Sequence, residues 1–528
     1  MLGTVAPALA ALYVGYFIFR SIQQRYDQRK YAKAHNCQLP PQADSGFFGV
    51  ANYIRMKKAA ENKRWVEYFA DQYGSNGNTL QQIILGQRVI TTIDPENIKA
   101  LLAAQFNDFA LGTRHEQFAP LLGDGIFTLD GAGWSHARGL LRPQFAREQV
   151  ADLNLLHDHV TRLIGLIPKD GSDFDIQPLF YLLTLDSATH FLFGESVGSM
   201  DSQGSDCLVN SSVKDSEGFA EAFNTSQKWL SARARAVDLY WMINPKEFRE
   251  ANRRVHEVVD HYVRLALENR RHPEQKGNKR FIFAEALAEE TDSPKVLRDN
   301  MLNILLAGRD TTASLLSSAF FFLSRHPHVW NKLRRVVIET FGDSQNPRDQ
   351  ITHSKLKDIP YLRHVLNEVL RLLPPVPLNS RVAVKNTTLP VGGGPDRQSP
   401  VFVAKGEVVI YSVFSMHRRT DYYGEDAETF RPERWEEDGR HGWEYLPFNG
   451  GPRICLGRKL DAYFQGLDHK IDTSTEQYAL TEASYTLVRL MQHFDAVENA
   501  DPLLVEPVIE NNLTMSHGRG VKVRMHPI

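Results

Sequence analysis

Cys455 stands in the run Phe448-Asn449-Gly450-Gly451-Pro452-Arg453-Ile454-Cys455-Leu456-Gly457, a glycine-rich loop leading toward a helical segment. Each part of this run suits a thiolate bound to iron. Glycines let a backbone approach a ligand closely and turn its N–H groups inward. Those donors, with the positive end of a helix beyond them, stabilise negative charge on sulfur. Arg453 can pair with an anionic group of the ligand, and Phe448 offers an apolar wall that limits solvent at the sulfur. The other cysteines, Cys37 and Cys207, are distant. Three scattered cysteines are no disulfide framework, which places the bulk of the chain in a reducing compartment.

Further groups carry chemical potential. Ala307-Gly308-Arg309-Asp310-Thr311-Thr312 lies in the middle of an apolar helical stretch, where polar residues need a purpose. Glycine inside a helix costs about 1 kcal/mol relative to alanine; here the missing side chain opens a groove beside the helix. Thr311, three residues on, points to the same side, and Asp310 is placed to pass protons from solvent. The plain alternative is a threonine bonded back to its own helix beside a solvent-facing aspartate. Glu368 and Arg371 share a helix face at i,i+3 spacing. The same pattern recurs at Glu61, Glu250, Glu268, Glu428 and Glu437, but Glu368-Arg371 is embedded among Val365, Leu366, Val369, Leu370, Leu372 and Leu373. A buried pair needs additional hydrogen bonds to offset its desolvation. Trp134 and Arg138 place an indole N–H and a guanidinium on one helical face, which by itself describes an ordinary surface stack.

The cysteine run matches the haem-binding signature Phe-x-x-Gly-x-Arg-x-Cys-x-Gly, and the chain resembles the cytochrome P-450 superfamily of haem-thiolate monooxygenases. The other groups occur in that family's order from Trp134 to Gly457, so the resemblance covers nearly everything after an N-terminal linker. It implies a mostly α fold with small β-sheets and a haem b cofactor (iron protoporphyrin IX) with Cys455 as axial iron ligand. Arg453, Trp134, Arg138 and Arg381 would hold the haem propionates, with Phe448 and Gly457 completing the cofactor seat. Asp310 and Thr311 would be the catalytic proton carriers. Arg434, in Phe430-Arg431-Pro432-Glu433-Arg434-Trp435, would join Glu368 and Arg371 in a structural triad. The thiolate pushes electron density to iron and favours O–O cleavage. Electrons would come from NADPH through a separate membrane-bound flavoprotein reductase, since no glycine-rich dinucleotide fingerprint opens a strand–helix unit here. Pro360 to Glu368, Gly392 to Asp396, Met416 to Arg419 and Phe430 to Trp435 look like the fungal n-alkane and fatty-acid terminal hydroxylases. Two rivals stay open: a haem-thiolate isomerase or dehydratase needing no reductase, and a catalytically impaired form.

The second rival arises from a departure. Where the family continues directly into a helix, residues 459–476 interpose a polar stretch, and the apolar helical pattern resumes at Tyr478. Arg458-Lys459-Leu460 can be encoded CGT AAG CTN, which contains an intron donor, and Thr475-Glu476 as ACA GAG, which contains an acceptor. Splicing between them would leave Cys-Leu-Gly-Gln-Gln-Tyr-Ala-Leu-Thr-Glu, close to the family pattern. The expectation is a retained intron; the alternative is a genuine surface insertion.

The elements that must position these groups are legible as patterns. Ser293-Pro294 is a good helix start and His326-Pro327 a good stop. The helix from Pro294 to His326 would be about 50 Å long at 1.5 Å per residue. A second helix is expected from Tyr361 to Leu373. Short strand-like runs lie at Leu80–Leu85, Val89–Ile93, Val401–Val403 and Val408–Val413. Leu2 to Phe19 is uncharged and apolar, followed by Arg20, Arg25, Arg29 and Lys30, which reads as a single-pass anchor with the body on the cytosolic face of the endoplasmic reticulum. The expected division is an anchor at 1–20, a basic, proline-containing linker at 21–45 and one catalytic domain at 46–528. The 528 residues carry 61 Lys and Arg against 63 Asp and Glu, so no basic field exists to grip nucleic acid. A membrane anchor suits a lipophilic substrate.

Overall fold

The computed structural model describes residues 20, 22–145, 153–201, 216–271, 281–437, 442–457, 478–503 and 506–528. The expected anchor at Leu2–Phe19 and the stretch 459–476 lie outside the described residues. Among those described, no helix is long and apolar enough to cross a membrane. The helices that matter for the site are α1 (Arg114–Leu122), α2 (Gly131–Phe145), α3 (Ile176–Phe193), α4 (Ser216–Arg235), α5 (Pro294–Leu323), α6 (Pro360–Leu372) and α7 (Tyr478–His493).

The long helix α5 runs through the core. Ser293 caps it, its hydroxyl accepting the Val296 N–H at 3.4 Å, and Pro294 occupies the first position, where its missing N–H costs nothing. It ends at Leu323, three residues short of the expected His326, because Ser324 and Arg325 form a turn before Pro327 opens the next helix. Leu315, Leu316, Phe320, Phe321 and Leu323 are each 2% exposed or less. Burial of such side chains contributes about 1.5–3 kcal/mol apiece, which is why this half of the helix is mostly apolar, broken only by small buried serines such as Ser317 and Ser318. Helices α3, α6 and α7 pack around it.

A five-stranded mixed sheet flanks the helices. Strands β1 (Thr79–Ile84) and β2 (Gln87–Thr92) form a hairpin; β3 is Phe109–Ala110, β4 is Leu378–Ala383 and β5 is Val408–Ser412. The spatial order is β1-β2-β5-β4-β3, with β2 parallel to β5 and the other pairs antiparallel. The hairpin turn places Leu85 and Gly86 at φ 47° and 82°, the double left-handed geometry of a tight two-residue turn. This sheet carries Arg381 and Tyr411 on adjacent strands. Three smaller sheets are also present among the described residues; in one of them Lys522–Pro527 pairs with both Phe494–Asn499 and Phe174–Asp175.

Candidate active site

A cavity of about 290 Å³ opens between α5 and the cysteine loop. Cys455, Arg453, Phe448 and Gly457 line it from one side, Gly308 and Thr311 from the other, and Trp134, Arg138 and Arg381 from its margin. All seven expected cofactor-binding residues thus meet around one space, drawn from positions more than three hundred residues apart.

The cysteine loop is seated from below. Gly451 has φ +66°, and a Cβ there would stand 1.8 Å from the carbonyl oxygen of Leu102. Only glycine lets the loop settle on the Ala100–Ala104 segment. The Cys455 N–H donates to the Phe448 carbonyl at 3.0 Å, closing the loop beneath the sulfur. Arg138 donates to the Ile454 carbonyl at 2.9 Å; burial depresses its pKa, and the Cys455 charge opposes that.

Around the margin, guanidinium groups converge. Arg453 lies over the Trp134 ring at 4.5 Å, pairs with Asp130 at 2.7 Å and donates to the carbonyls of Leu129 and Ile126. Burial pushes its pKa down to about 10, with Arg381 and Arg138 adding repulsion against the pull of Asp130. Arg114 is likewise lowered to about 10 by burial and by Arg381 and Arg453. Arg381 is 3% exposed and donates to the Ser380 carbonyl at 2.7 Å. Asp130 pairs with Arg453 while Arg114, Arg138 and Arg381 stand nearby, so among the described residues guanidinium groups outnumber carboxylates here. An apolar slot with a thiol on one wall and several guanidinium groups at its rim fits a flat macrocycle bearing two carboxylates. Arg114 was not among the residues singled out in the sequence; it lies at the start of a short helix with no motif around it.

On the opposite wall, Gly308 leaves the expected opening. A Cβ there would meet nothing nearer than Ala188, at 4.0 Å. The Thr311 hydroxyl donates to the Ala307 carbonyl at 2.7 Å, so its lone pairs are what it offers the cavity. Asp310 departs from expectation. It does not face solvent but is 2% exposed, its Oδ1 paired with Arg309 at 2.9 Å, and it is absent from the cavity wall. One residue of helical rotation from Thr311 carries it toward α4, where Gln227 and Arg309 reach it; burial raises its pKa despite them. Arg309, itself 3% exposed, lies over the rings of Tyr181 and Phe223.

Glu368, Arg371 and Arg434 come together away from the cavity. Glu368, fully buried, accepts Arg371 Nε and Nη2 at 2.8 Å, Arg434 Nε and the Arg431 N–H at 3.0 Å and the Trp435 indole N–H at 3.0 Å. Burial alone would raise its pKa; the Arg371 bonds and charge reverse that and hold it below the usual range. Arg371 also donates to the carbonyls of His417 and Ala427. Burial and the Arg371 charge push the His417 pKa down to about 3, so the ring is neutral. Its Nδ1 donates to the Arg371 carbonyl and its Nε2 accepts the Leu446 N–H at 2.8 Å. The triad thereby reaches the chain entering the cysteine loop.

A thiol under an apolar slot, a cationic rim and a grooved helix opposite define the site of a haem-thiolate protein. The family model described as "Cytochrome P450" matches residues 41–462. The chain is 47% identical to "Cytochrome P450 52A12" of Debaryomyces hansenii over 98% of its own length and 96% of the relative's. It is 50% identical to "Cytochrome P450 52A5" of Candida maltosa over 85% and 82%, and 44% identical to "Cytochrome P450 52A6" of Candida tropicalis over 94% and 93%. The chain belongs to the cytochrome P450 family and is a haem monooxygenase.

Proposed function

We propose that the chain hydroxylates n-alkanes or long-chain fatty acids at or near the terminal carbon. Electrons come from NADPH through a separate flavoprotein reductase, and the body works on the cytosolic face of the endoplasmic reticulum membrane. The observation that carries the substrate class is the cavity wall beyond the cationic rim, where Ile126, Phe127, Phe145, Phe191, Leu192 and Ile304 offer hydrocarbon alone. Such a surface binds a chain by removing it from water, at about 0.8 kcal/mol per methylene.

In this reading Cys455 ligates the haem iron, and Arg453, Arg138, Arg381, Arg114 and Trp134 bind the propionates, with Phe448 and Gly457 shaping the seat. The haem, when bound, supplies the reductive cleavage of dioxygen and the oxidation of a C–H bond. Gly308 provides room beside α5, and Thr311 orients a proton at its hydroxyl. Asp310, one residue before Thr311 and paired with Arg309, passes protons toward that hydroxyl, its pKa raised by burial against the Arg309 charge. Glu368, Arg371 and Arg434 support the loop. The body spans 46–528, preceded by the anchor at 1–20 and the linker at 21–45, and residues 459–476 are a retained intron; the family match ends inside that stretch, at 462.

Membrane association has support in the surface. Phe47 and Phe48 are 95% and 63% exposed, and Trp241 and Met242 are 65% and 66% exposed. Both segments lean on the β1–β2 turn: the Phe48 carbonyl accepts the Gly86 N–H at 2.9 Å, and Asp238 accepts from Gln87. Clustered exposed aromatics mark an interaction face. Arg142, exposed at the end of α2, is suited to an acidic reductase; Arg147 and Arg458 lie outside the described residues. The deciding experiment is a spectral titration of purified protein with alkanes and fatty acids, followed by NADPH-dependent turnover with a reductase. Hydroxylated product from either class supports the reading. Product formed without NADPH or reductase would replace it with the isomerase or dehydratase alternative.

A further inference from the structure

The loop between α1 and α2 supplies two of the hydrocarbon side chains, Ile126 and Phe127, and its backbone is fastened to α5. Asp299 Oδ2 accepts the Asp124 N–H at 2.9 Å. Asn303 works both ways: its Oδ1 accepts the Phe127 N–H at 3.1 Å and its Nδ2 donates to the Leu122 carbonyl at 3.0 Å. Both side chains are 1% exposed or less. Asp299 is compensated by Lys295 at 2.8 Å and Arg298 at 3.3 Å.

Two glycines make the approach possible. A Cβ on Gly123 would stand 2.1 Å from the Asp299 carboxyl carbon, and one on Gly125 would stand 2.3 Å from Asn303 Nδ2. Thr128 stiffens the loop from within, accepting the Gly125 N–H and donating to the Gly123 carbonyl. From the other side Arg453 donates to the carbonyls of Ile126 and Leu129, so the loop is held between α5 and the cysteine loop.

Asp299, Asn303, Ala307 and Thr311 are spaced by four and so form one stripe of α5. Each step advances about 6 Å along the axis. The ridge that presents Ala307 and Thr311 to the cavity is continuous with the one that grips the loop one and two turns earlier, turning about 40° at each step. No flexible element intervenes between the grip and the groove.

We infer that Asn303, with Asp299, is a positioning residue for regiochemistry: it fixes the Ile126–Phe127 wall against α5 and so decides which carbon of the substrate stands at the reacting position. This rests on the hydrocarbon-hydroxylase reading. In the test, Asn303→Ala, Phe127→Ala and the double variant are compared with wild type for two properties. One is the ratio of terminal to internal hydroxylation of a saturated fatty acid or alkane; the other is amide hydrogen exchange across 122–128 in ligand-free protein. N303A should raise exchange in that segment about tenfold and lower the terminal fraction at least threefold. The double variant should shift the ratio no further than F127A alone, because both act through one wall. If N303A does not fold, Gly125→Ala makes the same displacement by steric conflict with Asn303. Unchanged exchange, or raised exchange with an unchanged product ratio, overturns the inference. A wild-type protein that oxidises neither substrate class refutes the substrate reading instead, and the exchange measurement then decides the grip by itself.

Discussion

Replacing Glu368 by alanine should empty the haem site without altering any residue that lines the cavity. The carboxylate accepts five donors, and its removal leaves Arg371, at zero exposure, and Arg434 as buried cations without their main counter-charge. Breaking one partner out of a buried ionic cluster costs about 3–5 kcal/mol. Against a total stability of about 5–15 kcal/mol, that is a large share, and about 4 kcal/mol changes a folded-to-unfolded ratio about a thousandfold. The damage is directed. Arg371 and Arg434 hold the carbonyls of His417, Tyr423 and Ala427, and His417 in turn accepts the Leu446 N–H next to the cysteine loop. Glu368→Ala should therefore hold less than about a tenth of the wild-type haem, measured as the thiolate-type reduced carbon monoxide spectrum per mole of protein. Glu368→Gln keeps an acceptor but turns an amide toward cations, and should fall between. If E368A purified with wild-type haem content and a melting midpoint within one or two degrees of wild type, the argument that this cluster supports the loop would be wrong.

Other outcomes are open to simpler measurement. Cys455→Ser should abolish the thiolate-type carbon monoxide spectrum while leaving the helical circular dichroism unchanged; a retained signature would identify another ligand. Thr311→Ala should consume NADPH at a near-normal rate yet release peroxide in place of hydroxylated product, and full coupling in this variant would remove Thr311 from proton handling. Glu482 on α7 is buried against Ser187, whose hydroxyl it accepts at 2.5 Å, and burial pushes its carboxyl up to about 7 from 4.5. Between those values the unfolded chain has lost a proton that the folded chain keeps, so stability falls as pH rises through this window and levels off above it. The separation corresponds to about 3 kcal/mol. Glu482→Gln should thus be the more stable protein at pH 8 but not at pH 4, by denaturant titration; parallel wild-type and variant profiles would refute this.

How much was visible in the sequence depended on whether the signal was local. The start of α5 was legible because Ser293 and Pro294 cap it by their own chemistry, and α6 because its apolar spacing repeats over three turns. The four strand-like runs fell within one or two residues of strands, but Leu378–Ala383, which carries Arg381, and the strands after Phe494 had no such signal. The cysteine loop was legible as a dense cluster of glycines around one thiol. Arg114 was not, since its role depends on which other cations the fold brings beside it. That Asp310 is shut off from solvent was not legible, because the sequence does not say what covers α5 there; α4 does, with Gln227. The grip of Asn303 on a loop some 180 positions earlier was hidden for the same reason.

The seat of Gly451 on the Leu102 carbonyl bears on the order of events during synthesis. The platform is synthesised within the first fifth of the chain, but the loop that rests on it comes only near the end, and α7 and the strand Lys522–Pro527 later still. Contacts separated so widely form slowly, because the intervening loop must first be closed. A nascent chain therefore carries an unfinished pocket through most of its translation. Truncation anywhere before the final strands should yield chains that never retain haem.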